Sequence, residues 1–152
     1  MNLERIESKL ISGWGRNLPV SSNIVIPKKI EDIQVFIKES PPKSIIARGL
    51  GRSYGDAAQL KDKNVIDLKH FSELTLQEDY GILTAGAGAS FNDVLKYIVP
   101  KGFFLPVSPG TRNVTVGGAI ASDVHGKNHH VDGSFGNHVL EIKLIDGLGN
   151  LK

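Results

Sequence analysis

ARGLGRSYGD, residues 47–56, and PGTRNVTVGGAIASDVHGKNHH, residues 109–130, are the two stretches on which the reading of this chain turns. The first follows a short apolar run, and both are punctuated by glycine. Glycine is favoured where a chain takes positive φ or must admit another group without a Cβ in the way, so two such loops in one small chain point to a shared bound molecule. A large phosphorylated ligand is the expectation.

Composition bounds the rest. With 152 residues, 40% hydrophobic and 22% charged, the chain can build a globular unit with its own core, and disorder or collagen-like structure is excluded. The formal charge is only +2, with basic residues scattered among acids, so nothing argues for nucleic-acid binding. There is no Cys, which removes disulfides, thiolate catalysis and Cys-based zinc sites. The opening MNLERIESKLISGWGRN lacks the pattern of a signal peptide, and no apolar stretch approaches the roughly 20 residues of a bilayer span. A cytoplasmic protein without a transmembrane segment is expected.

The chain reads as short strands alternating with helices. NIVIP (23–27) predicts a strand ended by proline, and Ile30, Ile33, Phe36 and Ile37 recur at helical spacing until Pro41 and Pro42 stop the helix. Residues 44–47 and NVIDL (64–68) predict two further strands with the first glycine loop between them. In the second half, YGILTA (80–85) predicts a strand leading into GAGA. Ser90 with Asp93 three residues later has the pattern that opens a helix over FNDVLKYIV, with Phe91, Val94, Leu95 and Ile98 on one face and Pro100 and Gly102 at its end. Residues 116–124 predict a short helix beneath the second loop, and VLEIKLI (139–145) a closing strand before the turn-like DGLGN. The chain stops just after that turn, where another strand of the sheet would begin, so a larger protein or a covering partner is expected.

In the first loop, the amides of residues 48–53 can converge on an anion while Ser53 adds a hydroxyl donor. A structural glycine-rich turn is the alternative. The glycines at 49, 51 and 55 are one residue too wide for a Rossmann fingerprint, and no Walker A motif occurs. In the second loop, Pro109, Gly110 and Thr111 predict a tight turn. Thr115, Val116, Gly117 and Gly118 offer backbone donors at a helix start, where a phosphate or a flavin carbonyl would be favoured.

RGLGRSYGD, the strand-GAGA-helix segment, the 109–130 string, GSFGNHV and the GWGR at 13–16 together resemble the N-terminal FAD-binding part of the vanillyl-alcohol oxidase (PCMH-type) flavoproteins. Among these they are most similar to the members that oxidise a decaprenylphosphoryl-ribose. The resemblance implies an α+β fold: a small β-α-β subdomain over 20–75 carrying the pyrophosphate loop, then the start of a second mixed-sheet subdomain with flanking helices over 76–152, without a substrate domain. It implies that Ala47, Arg48, Gly49, Leu50, Gly51, Arg52, Ser53, Tyr54, Gly55, Asp56 and Ala57 surround the FAD pyrophosphate. Gly110, Thr111, Thr115, Val116, Gly117, Gly118, Ser122, Asp123, Val124 and His125 would line the rest of the cofactor.

Relatives with a flavin tethered through the first loop carry histidine where this chain has Arg52, and Cys is absent, so a non-covalent FAD is implied. Arg52 would then support the loop or offset phosphate charge. The resemblance places His125 beside the flavin and Lys127 near the substrate mouth, in electrostatic roles. It places no catalytic residue in this chain, since the catalytic lysine of such enzymes lies beyond Lys152, and an isolated chain of this length is expected to show no turnover. His125, His129 and His130 could in principle share a metal, but Gly126 and Asn128 interrupt any helix and no metal is expected. Trp14 is read as an aromatic anchoring the N-terminal segment, and Asp56 and Asp123 as candidate caps of backbone amides.

The implied activity is hydride transfer from the sugar C2 to the flavin, giving a 2-keto sugar for cell-wall arabinan precursors that a separate NAD-dependent reductase completes. Membrane association of the full-length protein is compatible with a polyprenyl-phosphosugar substrate. An aldonolactone or alditol oxidase domain, and a non-catalytic nucleotide-binding or interaction module, are the alternatives.

Overall fold

The computed structural model describes residues 3–152. The chain divides into two compact units, the residues up to His70 together with Ile142–Lys152, and Phe71–Glu141.

The first unit is a four-stranded mixed sheet in the order β1-β2-β4-β3. Strands β2 (Val20–Ile26), β3 (Ile45–Arg48) and β4 (Asn64–Asp67) run parallel, with β4 between the other two. Helix α1 (Ile30–Glu39) connects β2 to β3 and buries Ile33 and Phe36. Ile24, Val25 and Ile26 are buried in succession, as are Val65 and Ile66, so both faces of the central strands are covered. Ile11, Ile24, Ile26 and Val65 form one core cluster, with Val20, Ile46 and Leu60 packed against it. Burial of each such side chain stabilises the fold by about 1.5–3 kcal/mol.

The β-α-β-loop-β unit read from the sequence is therefore present, with β2 starting three residues earlier than expected. An additional strand, β1 (Glu4–Ile11), pairs antiparallel with β2 along the sheet edge. Its register slips between Ile6 and Lys9, where Ser8 takes φ +52° and donates its N–H to Asn23 Oδ1 at 3.2 Å.

In the second unit, β5 (Leu74–Gln77) and β6 (Ile82–Ala85) form an antiparallel pair. Helix α2 (Phe91–Ile98) starts at a full capping box: Ser90 Oγ accepts the Asp93 N–H at 3.1 Å, and Asp93 Oδ2 accepts the Ser90 N–H at 3.2 Å. It ends in a 3-10 turn, Val99–Lys101, closed by Gly102. Helices α3 (Val116–Ala121) and α4 (His129–Asp132) are short, and a second 3-10 turn covers Phe135–His138. Phe91, Val107, Ala119 and Phe135 make the core, the two phenylalanine rings lying 5.1 Å apart.

One expected strand is corrected. Residues 139–145 do not enter a ladder among the described residues: Leu140, Ile142 and Leu144 are exposed, and only Ile145 bridges to Leu151. The apolar alternation is real, but among the described residues only its end, Leu144 and Ile145, is paired, with residues 151–152. The DGLGN turn is as read, with Asp146 Oδ1 accepting the N–H groups of Leu148 and Asn150, both at 2.9 Å.

Candidate functional site

Strand β3 delivers the chain into the loop at 47–57, and Arg48, at the strand's end, folds back to shape it. Its guanidinium donates to the carbonyls of Ala58 at 2.8 Å and Ser12 at 2.6 Å. Burial holds this guanidinium below its ordinary pKa, with Asp67 opposing and Arg52 adding to the depression. Gly51 sits against it at φ +69°, where a Cβ would strike the Arg48 side chain. Glycine is therefore required there twice over, for conformation and for space.

A segment at 12–18 lies over this loop. The Trp14 N–H donates to Ser53 O at 2.9 Å, and Gln59 Nε2 donates to Leu18 O at 2.8 Å. Gly13 approaches the carbonyls of Ser53 and Gly55 so closely that a Cβ would collide with both. Arg52 lies over the Trp14 ring, 5.0 Å from its centroid, and donates to Leu50 O at 2.9 Å. Between segment and loop is a cavity of about 220 Å³ lined by Ser12, Gly13, Trp14, Arg16, Arg48, Leu50, Gly51 and Arg52.

The loop leaves its donors free. Among the described residues, no backbone N–H from Leu50 to Ala58 finds an acceptor in the protein, and the Ser53 hydroxyl is sealed from solvent without a partner. Buried polar groups are ordinarily bonded, so the unsatisfied Ser53 Oγ beside a run of free amides stands out in this loop. Tyr54 projects outward, and Asp56 O accepts the Gln59 N–H at 3.1 Å.

The second stretch behaves differently. Of the four amides expected to offer donors at the start of α3, three are taken within the fold: Val116 N–H donates to Ala89 O at 2.8 Å, Gly117 N–H to Ala87 O at 2.9 Å, and Gly118 N–H to Thr115 Oγ1 at 3.1 Å. Those groups fix α3 against the GAGA turn. The N–H groups of Gly110 and Thr111, in contrast, have no acceptor among the described residues. These two residues line a cavity of about 420 Å³ with Phe91, Leu95, Phe104, Ser108, Pro109, Arg112 and Asn113, where Ser108 Oγ is also buried without a partner.

Beyond α3, Ser122 closes the helix and Asp123 takes φ +41°. The Asp123 carboxylate accepts Ser134 Oγ at 2.8 Å and the Gly136 N–H at 2.9 Å. The Ser134 hydroxyl, then the Gly136 amide and His125, hold Asp123 below the ordinary carboxylate range. This carboxylate caps the 134–138 turn, which in turn pairs through Ser134 with His125. Val124 is half-buried between them, while His125 and Lys127 are exposed.

The imidazoles of His125, His129 and His130 stack edge-on at 5.0 and 5.7 Å, and His129 Nδ1 faces Gly126 O at 3.0 Å. Among the described residues, no three His, Asp or Glu side chains converge as a metal site.

Sequence reading alone did not show that 12–18 is part of the first loop's architecture. The signal was present in Gly13 and Gly15 on either side of Trp14, a spacing that permits close backbone approach.

Residues 21–152 match the family described as the FAD binding domain. The chain is 40% identical to the decaprenylphosphoryl-beta-D-ribose oxidase of Mycolicibacterium smegmatis over 152 residues, covering 95% of this chain and 32% of that protein. It is 27% identical over 125 residues to a D-lactate dehydrogenase of Archaeoglobus fulgidus, covering 80% of this chain and 28% of that one. A solved structure of cholesterol oxidase from Brevibacterium sterolicum superposes with a TM-score of 0.70 over 82% of this chain and 25% of its own length, at 19% identity. That likeness shows the fold, a PCMH-type α+β arrangement. The chain thus spans about a third, or less, of the length of these relatives.

Proposed function

The chain belongs to the FAD-binding-domain family, and on that premise we propose that it forms the FAD-binding portion of an oxidoreductase acting on a CH–OH group, with a polyprenyl-phosphosugar as substrate. The observation that carries the cofactor assignment is the run of free amides from Leu50 to Ala58 around the buried, unpartnered Ser53 hydroxyl. These groups fit a pyrophosphate, which needs several convergent donors and no proton transfer. The substrate class rests on the 40% identity to an enzyme named for oxidising decaprenylphosphoryl-ribose.

When bound, FAD supplies the hydride acceptor that no amino-acid side chain can provide. The residues of this chain bind and orient. Ser53 and the loop amides hold the pyrophosphate, and Arg48, committed to the carbonyls of Ser12 and Ala58, keeps the loop in the shape that presents them. In the second unit, Gly110 and Thr111 offer free amides of the same kind. Asp123 fixes the backbone that carries His125, and exposed His125 and Lys127 place positive or polarisable groups on the substrate side, where they would favour a negatively charged flavin ring.

We further propose a dissociable FAD. Arg52 is braced by Trp14 and Leu50 and offers no nucleophile for a covalent link, and the chain has no cysteine. The 2-keto sugar released by such an oxidation calls for a reductase to consume it, and a separate NAD-dependent enzyme is the proposed partner. No helix among the described residues is long and apolar enough to cross a membrane; membrane association of the full-length protein is proposed from the lipid tail of such a substrate.

The test is spectroscopic. The full-length polypeptide, purified from cells, should absorb at about 450 nm as a flavoprotein. Acid precipitation should release all flavin into the supernatant. Flavin retained in the pellet would refute the dissociable cofactor, and failure to bind added FAD would refute the assignment itself.

A further inference from the structure

The cavity beneath the 12–18 segment is lined by three arginines and by no acidic residue. Arg48 is spent on the carbonyls of Ser12 and Ala58, and Arg52 on Leu50 O and the face of Trp14. Arg16 is different. Its guanidinium makes no hydrogen bond and no carboxylate contact among the described residues, although it lines the same cavity.

The backbone presents it deliberately. Arg16 takes φ +56°, uncommon for a residue with a Cβ, inside a turn closed by its own N–H donating to Gly13 O at 3.0 Å. That turn is anchored on the loop by the Trp14 N–H bond to Ser53 O and by the close approach of Gly13. The residue lies before the stretch matched by the FAD-domain family, which begins at residue 21, so it is an addition to what that match covers.

We infer that Arg16 is the phosphate-binding guanidinium of this cavity, whose lining it shares with Leu50, Gly51 and Arg52 of the loop. An exposed guanidinium with no partner in the fold, beside two committed ones and no carboxylate, favours an oxyanion ligand, and its fork matches two phosphate oxygens at once. The inference rests on the FAD reading for its preferred ligand, the cofactor pyrophosphate. The phosphate of a phosphorylated sugar substrate has the same chemistry, and the experiment separates the two.

Dissociation constants for FAD and for inorganic pyrophosphate are measured on the full-length polypeptide as wild type, Arg16→Gln, Arg16→Lys and Lys61→Gln, at low and high salt. Arg16→Gln is expected to weaken both ligands by about tenfold, since one charge-assisted bond to each is lost. Its binding should also respond less to salt. Arg16→Lys should recover part of the loss, because a point charge replaces the fork. Lys61→Gln removes an exposed charge elsewhere and should leave both constants unchanged.

If FAD binds Arg16→Gln normally while the KM for the phosphorylated sugar rises at constant kcat, the phosphate belongs to the substrate and Arg16 still binds it. Equal FAD and pyrophosphate affinity in wild type and both Arg16 variants, with KM unmoved, overturns the inference. Wild type that binds pyrophosphate through Arg16 but not FAD refutes the cofactor reading and leaves the role of Arg16 supported. Should Arg16→Gln fail to fold, the Arg16→Lys constants decide: affinity equal to wild type for every ligand overturns the inference.

Discussion

Gly51 and Asp123 show how single residues set the geometry of the two stretches. At φ +69°, with the Arg48 guanidinium where a Cβ would go, Gly51→Ala is expected to destabilise the protein by about 1–3 kcal/mol, through backbone strain and displacement of Arg48. The urea midpoint should fall, and FAD retention with it. Asp123 makes its contribution through charge. Its folded pKa is lowered, so the stability it confers is complete above the unfolded value of 3.8 and is lost as pH falls through the folded value. In Asp123→Asn that dependence disappears. The difference in unfolding free energy between wild type and variant should therefore be constant above about pH 5 and close at more acidic pH, where the wild-type carboxylate protonates. A difference that persists unchanged in acid would show that packing, not charge, is what Asp123 provides.

At the scale of elements, the clearest local signal is Ser90 and Asp93 ahead of an apolar-periodic run, and α2 starts there with both capping bonds made. Ser90→Ala should cost about 1 kcal/mol, read as a lower urea midpoint at unchanged slope. The parallel core was legible for the same kind of reason: β2, β3 and β4 are short apolar runs bounded by proline or turn residues, and α1 has unbroken helical spacing. β1 was not legible. Its apolar residues fall at Ile6, Leu10 and Ile11, because the slip at Ser8 breaks the period of two on which strand recognition depends. β5, with four residues and two exposed positions, is too short to declare itself. The donor array at α3 ran the other way: the motif promised free amides, but Ala87 O and Ala89 O of the GAGA turn take those of Gly117 and Val116, and Thr115 Oγ1 takes that of Gly118. Sequence shows that a donor exists, whereas its availability depends on what the chain folds against it.

For the whole molecule, the consequential feature is the extended run at 139–144. The amides of Leu140, Glu141, Ile142 and Lys143 have no acceptor among the described residues, and Leu140 and Leu144 are well exposed. In hydrogen-exchange mass spectrometry of this 152-residue chain, peptides spanning 140–143 should exchange at near-intrinsic rates while those over β2 and β4 stay protected. Protection at 140–143 would mean that these amides are paired in solution. The outer edge of β1 raises the complementary question of assembly. A straight strand in that position would offer a template on which a neighbouring molecule could lay its own strand. The left-handed kink at Ser8, with Lys9 beside it, interrupts that template in mid-course, so the slip that hid β1 in the sequence is also the kind of irregularity that disfavours edge-to-edge pairing.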